Sequence, residues 1–335
     1  MPSPDLRLCL PAVMAAWLLS GCANLPTDAR ETPATLYQST LVSAGSGQSM
    51  SPSTLAEKLA DADVIVVGEY HGHQAAHLLQ SRLQAALHRQ HARQVLALEA
   101  FEADHQSLID DYLAGNLGEE ELIEDADAWS NYRASYRPLM EFARRQQLPA
   151  IAANAPAGIV RCVGRQGPAY LQALPPARQA LLPQEPFPEV PGYRSKFLDT
   201  MGGNSHGKAS DASRERLENA YHAQLLRDAT MADRVIRARQ RYPDHQVLMI
   251  TGTFHSEQRL GMVGALEQRD PDLKVAVISP VTLSQDATGL SVEAHQAKGD
   301  YLYFVLPLPE RYRDEDRRTA AMQEQFSRAN QRECQ

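Results

Sequence analysis

Cysteine is scarce in this chain of 335 residues: there are four, and no pair is spaced as C-x-x-C. That excludes the common zinc-ribbon and thioredoxin-type signatures. Cys9 and Cys22 fall in a leading segment, which leaves Cys162 and Cys334 for one optional disulfide, so stability has to come from a core. Excess positive charge is also lacking. The net charge is -8 and no lysine/arginine cluster offsets it, which argues against nucleic acid as a partner. Beyond the first 20 or so residues no apolar run is long enough to cross a membrane. No segment recurs at a fixed period.

What the chain does have begins with a processing signal. Arg7 precedes an apolar run, Leu8 to Leu19, which suits the central region of a signal peptide and is short for an ordinary transmembrane helix. Leu19-Ser20-Gly21-Cys22 resembles a bacterial lipobox. The expectation is a signal peptide over 1–21, a lipidated Cys22 and a flexible tether over 22–50. Ala23 after the cysteine points to the outer membrane as the address. A plain secretory signal is the alternative.

From there short apolar runs alternate with amphipathic stretches. The runs are Val64–Val67, Val95–Leu98, Ile151–Ala153, Val247–Ile250 and Val275–Ile278, with Tyr301–Leu306 as a possible sixth. Unalternating apolar runs suit strands buried on both faces, and intervening helices suit a parallel sheet. Helical patterns cover Leu55–Asp63 (capped by Ser53 or Thr54), Gln74–Gln90, Ala103–Leu113, Glu119–Asp125, Arg137–Gln146 and Arg214–Arg239. The predicted fold is an α/β domain over 51–308. It has a mostly parallel sheet flanked by helices, and a helical, loop-rich insertion between the third and fourth core strands. Pro183–Ser213 is poor in regular patterns, as a lid, an interface loop or a disordered segment would be. A charged helical tail follows over 309–335.

In an open α/β sheet, ligands collect beyond the carboxyl ends of the strands. Four runs end on polar residues there: Gly68, Glu69 and His71; Glu99; Asn154; and Gly252 with His255. Two histidines and one or two of the carboxylates could converge there as nitrogen and oxygen ligands for Zn, Mn or Fe, with the remaining carboxylate free to act as general base on a bound water. Glu69 would then be the general base of a hydrolase. Gly68 and Gly252 would let the backbone turn sharply, and both Gly-x-x-His segments are expected to enter helices. Taken singly, each motif reads better as a glycine after a strand and a histidine near a helix start; two copies with Glu99 and Asn154, all at strand ends, point to a functional cleft. His73 and His77 have the i,i+4 spacing of a metal-binding pair, and are expected rather to line the cleft or its polar shoulder.

These residues resemble those of the ChaN-like haem-binding lipoprotein family, a branch of the superfamily that holds the TIKI proteases and erythromycin-esterase-like proteins. The resemblance rests on GEYH (68–71), LALEAF (97–102), Trp129 with Tyr132, Tyr136 and Arg137-Pro138-Leu139, and AANAP (152–156). It continues through Tyr221-His222-Ala223-Gln224, Asp228 with Met231-Ala232, and GTFH (252–255) followed by Gly261. It implies haem as cofactor, a homodimer with haem at its interface, a tyrosine as iron ligand and a histidine in support. Hard anionic phenolate suits ferric iron. Candidates are Tyr193 and Tyr221, with His206 or His222 as support and Tyr70 ranked behind them. The resemblance further implies haem or iron uptake or storage, with an outer-membrane haem receptor as a partner. The middle of the second motif, Thr253-Phe254, departs from the Gly-Asn-Gly-His common in the family. From the TIKI branch, His71, Glu99 and His255 carry over as ligands of a catalytic divalent metal, so a metal-dependent hydrolase is the alternative function.

Overall fold

Val64-Ile65-Val66-Val67 can be buried on both sides only if apolar layers cover both faces of its sheet, and the computed structural model supplies both. It describes residues 32–201, 210–331 and 333–334. Seven strands form one sheet: β1 (Ser39–Ser43), β2 (Val64–Glu69), β3 (Gln94–Glu102), β4 (Ala150–Asn154), β5 (Gln246–Gly252), β6 (Val275–Thr282) and β7 (Tyr301–Val305). Their order is β1-β7-β6-β2-β5-β3-β4. All neighbours are parallel except β1, which runs antiparallel to β7. The expected α/β class and mostly parallel sheet are therefore present, and the possible sixth run is a strand.

Alternation with period two divides the strand residues between two cores. Ile65, Val67, Leu96, Leu98, Leu248 and Ile250 pack with Leu79, Leu83, Leu139 and Met140, from helices Gln74–Gln90 and Arg137–Arg145. Val64, Val66, Val95, Ala97, Val247 and Met249 face the other way. They meet Met231 and Val235 of helix Asp211–Arg241, and Met262, Val263 and Leu266 of helix Gly261–Arg269.

Several boundaries differ from the sequence reading. The first helix is Pro52–Lys58, and its cap is Ser51, whose hydroxyl accepts from Thr54 N. Proline fits the first helical position, so the cap moves to the residue before it. β1 lies inside the stretch 22–50 expected as a tether. Its five residues lack the apolar run of a central strand because β1 is the edge strand of the sheet, with β7 on one side and only an isolated bridge, Val42 to Ser49, on the other. β3 runs on past Leu98 to Glu102, with a register shift against β4 between those residues. The insertion between β4 and β5 contains helix Ala157–Gln166 and helix Tyr193–Thr200, the latter inside the segment expected to be irregular. Cys162 and Cys334 form a disulfide. Cys22, the signal segment and His206 lie outside the described residues. Among the described residues no helix is long and apolar enough to cross a membrane.

Candidate functional site

β2, β5, β3 and β4 are consecutive in the sheet, so their carboxyl ends bring Glu69, Gly252, Glu99 and Asn154 to one rim. After β2 the chain turns through Tyr70–Gly72 into helix Gln74–Gln90, as expected of a Gly-x-x-His segment. His73 is its cap: Nδ1 accepts from Ala75 N at 3.2 Å, and Nε2 donates to Leu306 O at 2.8 Å. After β5 the chain makes 3-10 turns instead, Thr253–His255 and Glu257–Arg259, before helix Gly261–Arg269. A 3-10 turn directly after the strand directs His255 inward, and it is 7% exposed.

Glu69 is 2% exposed and its carboxylate is filled by donors. Oε1 accepts from His71 Nδ1 at 2.9 Å and from the Tyr136 hydroxyl, and Oε2 accepts from Gln80 Nε2 at 2.6 Å. As it stands Glu69 orients His71 and has little room to act as base on a water. His77 joins the same cluster: Nε2 accepts from Gly72 N at 3.1 Å while Nδ1 donates to Gln80 Oε1 at 2.9 Å. Those partners fix the neutral tautomer, and burial pulls the ring's pKa down. With Nε2 already accepting from the backbone, His77 does not form a metal pair with His73.

Glu99 lies on the far side of β5. Its Oε2 accepts from Gly252 N at 2.6 Å and from Thr251 Oγ1 at 2.8 Å. Its Oε1 is 3.4 Å from His255 Nε2. Burial alone would raise this carboxyl's pKa. The His255 imidazole and the backbone N–H outweigh it and hold the group well below the usual carboxylate range. On its other side His255 Nδ1 donates to Asp228 Oδ1 at 2.7 Å. Burial opposes charge on this ring, but Glu99 and Asp228 overcome that and lift its pKa to about 10. His71 is also raised: burial opposes its charge, and the bond to Glu69 with the nearby Glu99 prevails.

Gly252 separates the two halves. A Cβ built there would stand 3.0 Å from His71 Nε2 and 3.6 Å from Glu99 Oε2, so both groups face one small space that a side chain would fill. Gly68 is tight for a different reason, since a Cβ would meet Ser256 Oγ at 2.7 Å. Asn154 pins the rim: Nδ2 donates to the Glu99 carbonyl at 3.1 Å, and Oδ1 accepts from Arg227 Nη1 at 3.3 Å. His71 has a side chain 46% exposed, and Trp129 meets its ring edge-on at 4.9 Å. The cleft thus opens to solvent on the His71 side.

Gly68, Glu69, His71, Glu99, Asn154, Gly252 and His255 come together, and among the described residues the haem candidates Tyr193, Tyr221 and His222 do not form a second site beside them. Tyr193 is fully buried, its hydroxyl donating to Asp228 Oδ2 at 2.6 Å, and burial with that carboxylate pushes its pKa far above the ordinary value. Tyr221 is 1% exposed and donates to Glu189 Oε2 at 3.2 Å under the Arg194 guanidinium. His222 packs on Phe187, with Nδ1 at 2.9 Å from Glu218 O. Tyr70 donates to Pro280 O at 3.3 Å. Neither Tyr193 nor Tyr221 presents a phenol to a porphyrin iron, so these two residues do not fit that role in the structure.

The donor set of the cleft does fit a divalent ion. Each imidazole has a carboxylate on Nδ1, which leaves Nε2 for a ligand, and Glu99 adds a hard oxygen. His71, Glu99 and His255 are looser than a closed metal site. A tighter group at the end of β3, Glu102, Asp104 and His105, has its donor atoms within 4.8 Å of one another. The strand ends alone do not reveal Asp228, Tyr136 and Gln224, which act from helices distant in sequence, or Gln80, which acts from the helix directly after β2. Asp228, Tyr136 and Gln224 do stand among the family-like motifs, which is the available signal.

The family described as haem-binding uptake, Tiki superfamily, ChaN matches residues 55–266. Among solved structures the chain is similar to ChaN of Campylobacter jejuni, described as binding haem cofacially. Identity is 16% over 80% of this chain and 96% of that chain, with a TM-score of 0.57, a likeness of fold. It is more distantly similar to an open-conformation mutant of the erythromycin esterase EreC, at 13% identity over 84% of this chain and 87% of that one, with a TM-score of 0.43. The type III effector HopBA1 is 12% identical over 77% of this chain and 94% of that chain, also with a TM-score of 0.43. No curated protein sequence matches it.

Proposed function

The chain belongs to the ChaN family of haem-binding uptake proteins in the Tiki superfamily, and on that premise we propose that it is a lipid-anchored haem-binding protein of the bacterial outer membrane. Its work there is haem or iron uptake or storage, as a homodimer served by an outer-membrane haem receptor. The observation that carries this reading is the family match across most of the α/β domain. The lipobox-like Leu19-Ser20-Gly21-Cys22 supports the anchor, and the Cys162–Cys334 disulfide is in keeping with an oxidising compartment. Titration of the purified protein with hemin tests it: a saturable Soret band at micromolar hemin is expected, and an unchanged free-hemin spectrum would sink the reading. Replacing Tyr193 or Tyr221 by Phe should leave that band in place, since both hydroxyls are held inside the protein.

A second reading, a metal-dependent hydrolase, rests on a separate observation. His71 and His255 each donate Nδ1–H to a carboxylate and turn Nε2 toward Glu99. A divalent ion held by the three would polarise a carbonyl and acidify a bound water. The chain's own residues prepare that role. Glu69 and Asp228 fix the imidazoles, Thr251 and Gly252 N–H fix Glu99, and the buried carboxylates attract a cation. Metal analysis of chelator-free protein tests this, with stoichiometric Zn, Mn or Fe expected and its loss in His71→Ala. Metal-free protein that takes up none of the three on addition would remove this reading and leave the haem reading standing.

A further inference from the structure

The two cleft imidazoles are held by matching relays, and each relay begins at a buried tyrosine. On one side the Tyr136 hydroxyl donates to Glu69 Oε1, which also accepts His71 Nδ1. On the other, Tyr193 donates to Asp228 Oδ2 at 2.6 Å, while Asp228 Oδ1 accepts His255 Nδ1 at 2.7 Å. A glutamine braces each: Gln80 Nε2 donates to Glu69 Oε2 at 2.6 Å, and Gln224 Nε2 donates to Tyr193 Oη at 3.1 Å. Nothing in local sequence relates the halves. Tyr136 closes a short helix just before Arg137–Arg145, whereas Tyr193 opens helix Tyr193–Thr200 in the insertion. Both tyrosines are at most 1% exposed. A buried phenol directed at a buried carboxylate is more than core filling, because phenylalanine would pack there without the need for a hydrogen-bond partner.

The geometry points to Tyr136 and Tyr193 as paired positioning residues for a divalent cation held between His71, Glu99 and His255. This rests on the second reading above. By holding one carboxylate each, the tyrosines fix the plane and tautomer of the imidazole behind which that carboxylate stands. They act through Glu69 and Asp228 and touch no ligand. This also gives Tyr193 a role of its own, separate from any haem iron. Bonds of this kind behind metal-binding histidines tune affinity by about 10- to 100-fold when removed.

Cobalt(II) is the probe, because its visible d–d bands report the geometry around the ion. Apo full-length protein is titrated with Co(II) alone, in wild type, Tyr136→Phe, Tyr193→Phe and Asp228→Asn, with thermal midpoints recorded in parallel. Wild type should bind one Co(II) per chain. Each Tyr→Phe variant should bind about 10- to 100-fold more weakly with altered band intensities, and Asp228→Asn should be at least as impaired as Tyr193→Phe. If the variants bind Co(II) with wild-type affinity and spectrum, the positioning role is overturned while the metal cleft stands. If their Co(II) affinity falls only in proportion to a lowered thermal midpoint, with an unchanged spectrum, the tyrosines are structural and the inference is again overturned. If wild type itself binds no Co(II), the metal reading fails and this inference fails with it. Hemin titration of Tyr193→Phe should match wild type, and a lost Soret band there would assign Tyr193 to haem instead.

Discussion

Gly252 stands where any side chain would press on His71: a Cβ there would lie 3.0 Å from Nε2 and 3.1 Å from Cε1 of the ring. Its φ of -62° is open to any residue, so the requirement for glycine comes from the neighbour and not from the backbone. Gly252→Ala should therefore fold, with a modest loss of about 1 kcal/mol from overpacking, and should displace the His71 ring. Cobalt binding should collapse while the thermal midpoint moves by only a few degrees. A variant that keeps full cobalt affinity would show that the space beside Nε2 is not used.

The raised pKa of His255 makes stability depend on pH. Its ordinary value is 6.5 and its folded value about 10, so the folded state binds the proton more tightly. The stabilisation is complete below pH 6.5 and is lost as pH rises through about 10. Between about pH 7 and about pH 9 the thermal midpoint of the metal-free wild type should fall with a slope that metal-free His255→Gln lacks. Parallel slopes in the two proteins would contradict the assignment.

His71 and His73 are two residues apart and should respond in opposite ways. His73→Ala removes a helix cap and the bond to Leu306 O, and should cost about 1–2 kcal/mol in chemical denaturation. It should leave cobalt binding nearly intact. His71→Ala removes a half-exposed ring, and should cost under about 1 kcal/mol while abolishing cobalt binding. A reversal of this pattern would exchange the roles given to the two rings.

The disulfide joins Cys162, 1% exposed in helix Ala157–Gln166, to Cys334 across 172 residues of sequence. Closing so long a loop restricts the unfolded chain, and its removal should cost on the order of 3 kcal/mol. Cys334→Ser and reduced wild type should show the same lowered midpoint. Equal midpoints for oxidised and reduced protein would mean that the bond adds nothing to stability.

The strand-end rim was legible in sequence because it depends on local signals. Apolar runs end in Gly68-Glu69 and Gly252, and strand ends in an α/β sheet share an edge. The five clear runs all became parallel strands. What stayed hidden depends on distance. β1 has no apolar run to mark it, since an edge strand needs only a partner, and its partner β7 lies some 260 residues onward. Asp228 looks like any polar residue of a long amphipathic helix until Tyr193 and His255 are brought against it. The tyrosine candidates failed as surface ligands for the same reason. Tyr193 in a loop-rich stretch and Tyr221 on the helix that follows it both look available, and only packing reveals that they are enclosed.

The position of β5 has a consequence for biosynthesis. β2 and β3 are made early, yet in the finished sheet they do not touch each other, because β5 is inserted between them. A nascent chain that has not yet reached Gln246 therefore carries two apolar strands whose shared neighbour is still missing. Pairing of β2 directly with β3 would be a trap, and leaving both edges open would invite association with other chains. The cleft can assemble only after residue 255 has emerged, so its two histidines meet late and in a single closing step. The order of synthesis thus sets the order of assembly: the chain cannot complete its sheet until most of it has been made.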